Sequence, residues 1–531
     1  MAISNTVKYA YGVGHVFNDL CASMWFTYLL VYLHYVLQLG RTLSGFLLMM
    51  GQLADAVATP VIGLQSDRGT EICGYGRRKS WHAVGSLCVL VTFPIIFIVC
   101  DECFQAMNSG YILLLLVAVC VFQFGWGAVQ VSHMALSLDL TERESEREEL
   151  NLIRYIFCVS SEVTVSFVAC VTFMTLGTPG DTTINPGDSY SFEVITLTIV
   201  AMGVIFSGLF HALTPERPTP PAPPSLHPAT PSTRRRGEYH RVDGSPRYPS
   251  ASTSQGGGGL AGDEAPSVTP AFPGRPQRCW RDWLRDARFY ELSLLYTASR
   301  LIGNLATIYT PIYVAETLHD RKMIALVPLI MSLSGVGASF LLRALKRHIG
   351  KKGSVAVGVV VGAGACAVAA LPGLSPWVML GLASLWGVSG SLMVLVTLYM
   401  ASNLIGQHTD SAAFIYCGMG FADKITNGFA VLLIQGLTRV GCYGDDCSEY
   451  YRWVMSVGLL LPLLLAVIAL ALLNKDRLSR HLQHHRTPLL VVRHHMHEDD
   501  DALLSSTSSC SSDGMLLTPG ITLGYGTITK V

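Results

Sequence analysis

The chain has 531 residues, with 37 basic residues against 37 acidic ones, and half of its residues are hydrophobic while only 14% are charged. A mean hydropathy of +0.41 is too apolar for a water-soluble chain of this length; the zero net charge says nothing about a partner, and nucleic-acid binding is set aside because no segment resembles a nucleic-acid module. These values leave a polytopic membrane protein, all-α because backbone groups in hydrocarbon must find partners within their own segment.

Apolar segments of roughly 20 residues, the length that crosses about 30 Å of hydrocarbon, fall near 9–37, 43–65, 81–100, 111–138, 151–176 and 191–213. A second set falls near 287–315, 323–342, 353–371, 376–402, 412–438 and 453–473. The expected fold is twelve transmembrane helices in two six-helix bundles, 1–213 and 287–473. Between them, 214–286 contains PERPTPPAPPSLHPATPSTRRRG and SQGGGGLAG, a composition that predicts a disordered cytosolic linker. From Asn474 onward the chain is polar, rich in His and Ser, and reads as a flexible tail.

Basic residues collect in the even-to-odd connections: Arg68, Arg77, Arg78, Lys79, Arg143, Arg147, Arg343, Lys346, Arg347, Lys351 and Lys352. The opposite connections read DECFQ, GTPGDTTINPGD and CYGDDCSEY. Retention of Lys and Arg on the inner side therefore predicts that both termini and the linker are cytosolic. No cleavable signal peptide is expected, since His15, Asn18 and Asp19 interrupt the first apolar run.

Charges inside spanning helices cost roughly 2.5–3.5 kcal/mol each on insertion scales, so those retained are expected to face a cavity or one another. His15, Asn18 and Asp19 share one face of helix one, and Gln52, Asp55 and Thr59 share one face of helix two. Arg300 with Asn304 in helix seven, and Lys424 with Asn427 in helix eleven, supply cations and amides from the second half. Such a set suits a small zwitterion, its carboxylate toward Arg300 or Lys424 and its ammonium toward Asp19 or Asp55. The bland alternative is that Asp55, Arg300, Asp423 and Lys424 form buried ion pairs that fix helix packing. His15 and His133 read equally as hydrogen-bonding residues or proton carriers, and Gln130 and Glu162 are further candidates.

Most of the fourteen cysteines lie in apolar segments as packing residues, and none forms a metal pattern. Cys442 and Cys447 flank a loop and read as either a disulfide or two thiols. There is no G-x-x-x-x-G-K-[ST] loop and no Ser/His/Asp or H-E-x-x-H set, so neither an enzyme nor a cofactor is expected.

The segment GLQSDRGTEICGYGRRKSW places Gly63, Asp67, Arg68, Gly76, Arg77, Arg78 and Lys79 between helices two and three. It resembles the G-x-x-x-D-R…G-R-R/K loop of the major facilitator superfamily. That resemblance implies latching of neighbouring helix ends on the cytosolic side, released as the two halves rock in alternating access. The inserted GTEICGY, and ALSLDLTERESEREELNLIR with Asp139, Thr141, Glu146, Arg147 and Arg154, are similar to the glycoside-pentoside-hexuronide cation symporters, the branch of melibiose permease. In that branch Asp19, Asp55 and Lys424 fall at functional positions and Arg154 joins the gating set. The branch's helix-two pattern D-A-x-x-D-P here has Thr59 for its second acid, which implies a weaker sodium site. GHVFNDLCASMWFTYLLVYLH, GFLLMMGQLADAVATPVIGLQSDRG and GFADKITNGFAVLLIQ look like one member of the superfamily in particular. This likeness implies a multi-pass protein of lysosomal and melanosomal membranes that admits cysteine and affects pigmentation. A sugar or lysophospholipid carrier, and a non-transporting scaffold, are the alternatives.

In the tail, Asp499 to Leu503 and Leu504 has the form of an acidic dileucine signal, and Tyr525 to Ile528 that of a tyrosine-based signal. Both suit clathrin-adaptor capture of an extended cytosolic peptide.

Overall fold

A computed structural model describes residues 3–68, 75–98, 109–141, 143–177, 182–216, 280–405, 412–442 and 446–486. The sorting residues Asp499, Leu503, Leu504, Tyr525 and Ile528, and most of the linker, lie outside the described residues, as do the side chains of Asp67 and Arg68.

Helix one is broken into α1 (Asn5–Val13) and α2 (Val16–Val31), where continuous helix was expected. The break falls at Gly14-His15, and Gly14 has to lack a side chain because the Phe210 ring occupies the space a Cβ would take. A π-helical turn, Tyr32–Val36, closes the segment. There follow α3 (Arg41–Arg68), α4 (Arg77–Phe97), α5 (Ser109–Leu140), α6 (Glu144–Thr175) and α7 (Ser189–Leu213). The second half comprises α8 (Ala287–Leu318), α9 (Arg321–Ala369), α10 (Pro376–Ile405), α11 (Ala412–Gly441), α12 (Ser448–Trp453) and α13 (Leu459–Arg486).

Ten helices among the described residues are long and apolar enough to cross a membrane. Arg321–Ala369 counts there once, yet Gly350 at φ 73° divides it into two helices, a conformation that glycine adopts readily. Ala287–Leu318 falls outside the ten through its polar content. With both taken into account the arrangement is the expected twelve-helix, all-α one.

Three expectations need correction. The eighth and ninth helices join through the Gly350 kink without an intervening loop. The last helix continues to Arg486, into what reads as tail. Part of the expected linker is helical at Trp280–Leu284, where Trp283 is buried and gives the segment an apolar anchor.

Large apolar side chains line the outside, with Phe340, Trp377 and Val440 exposed by 80%, 80% and 87%, as suits a surface solvated by lipid. Trp25, Tyr28, Phe93, Tyr309 and Trp386 fill the interior. The halves meet along α3 with α11, α6 with α9, and α2 with α8. On the side away from the N-terminus they are tied by a buried pair, Arg321 Nη1 to Asp188 Oδ1 at 3.0 Å, with Arg321 N donating to Thr182 O. Tyr35 donates to Glu316 Oε1 at 2.7 Å, and Arg41 lies 3.6 Å from the same oxygen. This side, called the far side below, is closed. Cys442 and Cys447, near the end of α11, are joined by a disulfide. Ser448 donates to Asp446 and holds that carboxyl below the usual carboxylate range, so the start of α12 has an ionised acceptor.

Candidate functional site

Near the middle of the helices, the polar residues read from the sequence come together with charges from both halves. Lys424 on α11 places Nζ 2.6 Å from Asp55 Oδ1 on α3 and donates to Thr59 Oγ1 at 2.9 Å. Thr59 stands one turn below Asp55 and donates to its backbone oxygen at 2.9 Å. The threonine that replaces the family's second acid thus accepts from an internal ammonium, and Asp55 has its cation within the protein. Arg300 on α8 pairs with Asp423 on α11 at 3.2 Å, and Asp423 also feels Lys424 and Asp55. The two pairs form one four-charge group across the interface.

His15, Asn18 and Asp19 face this group from the first half. His15 Nδ1 lies 2.8 Å from Asp19 Oδ1, and Asn18 donates to Trp126 O at 3.3 Å. The Lys424 ammonium stands 5.5 Å from the Trp126 ring centroid, within cation–π range. Arg154, expected with the gating residues, instead approaches His15 Nε2 at 3.3 Å. Glu162, also on α6, feels both Asp19 and Arg300. Asn304 sits one turn beyond Arg300 and is half-buried.

Several polar atoms here are buried with no hydrogen-bond partner among the described residues: Asn18 Oδ1, Trp126 Nε1, Asp423 Oδ1, and both amide atoms of Asn427. A buried donor or acceptor left unsatisfied costs about 1–3 kcal/mol, so such a concentration calls for an occupant that satisfies it. Donors and acceptors are both present, and Arg300 keeps 36% of its side chain exposed as a point of access. The arrangement offers both signs of charge together with buried donors and acceptors.

The loop residues build a second, separate structure. Gly76, at φ 99°, starts α4 in a conformation few side-chain-bearing residues adopt, and Glu216 packs against it. Glu216 accepts from Arg78 N at 2.8 Å and Lys79 N at 2.9 Å, placing a carboxylate on the N-terminus of α4. Lys79 Nζ donates to His211 O and Thr214 O at the end of α7, and Arg78 reaches Ser66 at 2.8 Å and Asp139 at 3.4 Å. These contacts bind α3, α4, α5 and α7 into one unit of the first half. Arg77 begins α4, and Gly63 sits opposite Val131. Glu216→Ala removes two charge-assisted acceptor contacts at a helix start, worth about 1–2 kcal/mol. Amide exchange at Arg78 and Lys79 is expected to quicken roughly tenfold; unchanged exchange would contradict the capping role.

Sequence reasoning missed Trp126 as a site residue and treated Asp423 only as a packing charge. The adjacency of Asp423 to Lys424 was a signal that an acid and a base occur together, but not that each serves a different helix.

Comparison with known proteins gives two family matches: a profile described as "MFS/sugar transport protein" over residues 10–230, and one described as "Major Facilitator Superfamily" over residues 187–423. The chain is similar to "Major facilitator superfamily domain-containing protein 12" of Homo sapiens, 36% identical over 473 residues that cover 85% of this chain and 90% of the relative. A shorter match, 24% identical over 154 residues and 29% of this chain against 28% of the relative, is to "Sodium-dependent lysophosphatidylcholine symporter 1" of Gallus gallus. Among solved structures, a D-xylose-proton symporter superposes with TM-score 0.61 at 11% identity, over 87% of this chain and 96% of that one.

Proposed function

Because the chain belongs to the major facilitator superfamily, in the family of its domain-containing protein 12, and is thus a multi-pass membrane protein of secondary-transporter type, we propose that it carries cysteine from cytosol into lysosomes and melanosomes. The observation that carries this reading is the four-charge group of Asp55, Lys424, Arg300 and Asp423, contributed by both halves and set among unpartnered buried polar atoms. A zwitterion entering there matches its ammonium to a carboxylate of one half and its carboxylate to a cation of the other, so that binding favours closure. With Lys, Arg and both termini on the cytosolic side, the closed far side is lumenal, and the form described receives its solute from the cytosol. The halves at 1–213 and 287–473 act as the rocking bodies, with the linker and tail as cytosolic appendages.

The test is counterflow of labelled cysteine in proteoliposomes, with alanine, xylose and lysophosphatidylcholine as competitors. Cysteine exchange resisted only by similar amino acids supports the proposal. Competition by xylose or lysophosphatidylcholine in place of amino acids would transfer the assignment to the sugar or lipid reading, which the symporter relatives favour. Sorting to lysosomes is assigned to the tail signals: combined Leu503→Ala, Leu504→Ala and Tyr525→Ala is expected to move most of the protein to the plasma membrane by microscopy. Wholly lysosomal retention would refute that assignment.

A further inference from the structure

Four histidines of the first half stand in a column from the central site toward the side bearing the N-terminus. His15 begins α2 beside Asp19, His133 is on α5, His82 on α4 and His211 on α7. Ring centroids are 5.5 Å apart from His15 to His133, 6.0 Å from His133 to His82, and 4.8 Å from His82 to His211. The first three are buried and His211 is half-buried, beside Lys79 and Tyr75 where α4 begins.

Their hydrogen bonds fix where each proton sits. At the break in helix one, the carbonyl of Tyr11, which also accepts from Gly14 N, lies 2.7 Å from His133 Nε2, and the carbonyl of Gly14 lies 2.9 Å from His82 Nε2. A carbonyl only accepts, so both rings carry hydrogen on Nε2 and present Nδ1 as a base. His82 Nδ1 faces His211 Nε2 at 3.0 Å, so that nitrogen of His211 donates. Nδ1 of His133 and of His211 are buried with no hydrogen-bond partner among the described residues. Carbonyl capping accounts for one nitrogen of each inner ring; the other faces His211 in His82 and has no hydrogen-bond partner among the described residues in His133. The charged groups that face the column are Asp19 and Arg154 at His15, Arg154 at His133, and Lys79 at His82 and His211. The Tyr11 and Phe210 rings close its sides.

We propose that His211, His82, His133 and His15 conduct protons between the N-terminal side of the membrane and Asp19, and so link solute movement to proton movement. This inference rests on the carrier reading above. In each step a ring gains a proton on Nδ1 and then turns about its Cβ–Cγ bond, leaving its carbonyl, so that an N–H reaches the next ring and is released there; the net result is one proton displaced along the column and bound to, or lost from, the Asp19 carboxylate. No group other than the proton changes hands. Asp19 protonation alters the charge offered to the solute, which is the coupling.

The test uses the full chain in proteoliposomes: labelled cysteine counterflow reports the carrier, and an entrapped pH dye reports protons during net cysteine uptake down an imposed cysteine gradient. His82→Gln and His133→Gln each keep an amide donor for the same carbonyl but cannot pass a proton. The proposal predicts cysteine-dependent proton flux in the wild type, at least a tenfold loss of that flux in each variant, and counterflow within about twofold of wild type. Wild-type counterflow without proton flux overturns the column while leaving the carrier intact, and so does full flux in the variants. Absent wild-type counterflow overturns the carrier reading and this inference with it. If one Gln variant loses counterflow through misfolding, the other and His211→Gln, at the half-exposed end, decide by the same criterion.

Discussion

Lys424→Ala is expected to lower cysteine uptake by about two orders of magnitude at matched surface expression. The substitution leaves Asp55, with 3% of its side chain exposed, without its 2.6 Å partner and Thr59 without its donor. Removing one member of a buried ion pair costs about 3–5 kcal/mol, and each 1.4 kcal/mol is a factor of ten. The 16% exposure of the Lys424 side chain places the effect at the lower end of that range. Combining Asp55→Asn with Lys424→Met separates two roles for the pair. If the charges only hold α3 against α11, the double neutral variant regains both folding and uptake, since uncharged replacements of a buried pair are often well tolerated. If they receive the solute, it regains folding, measured as surface expression and thermal stability, while uptake stays lost. The proposed function requires the second result.

Arg321→Ala is expected to open the far side. Among the described residues the Arg321–Asp188 pair is the most deeply buried ion pair between the halves, with side chains 6% and 0% exposed at 3.0 Å. Its loss removes the cation from the buried Asp188 carboxylate at a cost of about 3–5 kcal/mol, which converts an equilibrium strongly favouring the closed far side into one where both forms are populated. Spin-label distances across the far side should then show a second, longer population of comparable weight. Gly177→Ala reports on the same tie, because a Cβ at that position collides with the Arg321 guanidinium. A single distance unchanged from wild type in both variants would remove the pair from the closure.

Much of the fold was legible because hydrocarbon leaves few choices: apolar runs of spanning length have to be helices, and residues that interrupt them stand out. Asp19, Asp55, Arg300 and Lys424 were identifiable for that reason. Their partners were not. Asp423 and Lys424 are neighbours in sequence, but adjacent helical residues point about 100° apart, so one turns to Arg300 and the other to Asp55. Arg154 joined the gating set through the family resemblance, three residues into a helix expected to begin near 151. It begins at Glu144, which carries Arg154 about 15 Å along the helix at 1.5 Å per residue, as far as His15. Thr59 read as a lost cation ligand, since sequence alone cannot bring Lys424 across from the other half to donate to it. The histidine column draws on four helices at positions with no common spacing, and only packing assembles it.

Uptake of labelled cysteine into purified lysosomes, with and without this protein, tests the central claim most directly. The account predicts that uptake falls when the protein is deleted, returns with the wild-type chain, and does not return with Lys424→Ala present at the same level. Uptake unchanged by deletion, or restored equally by both chains, would contradict it.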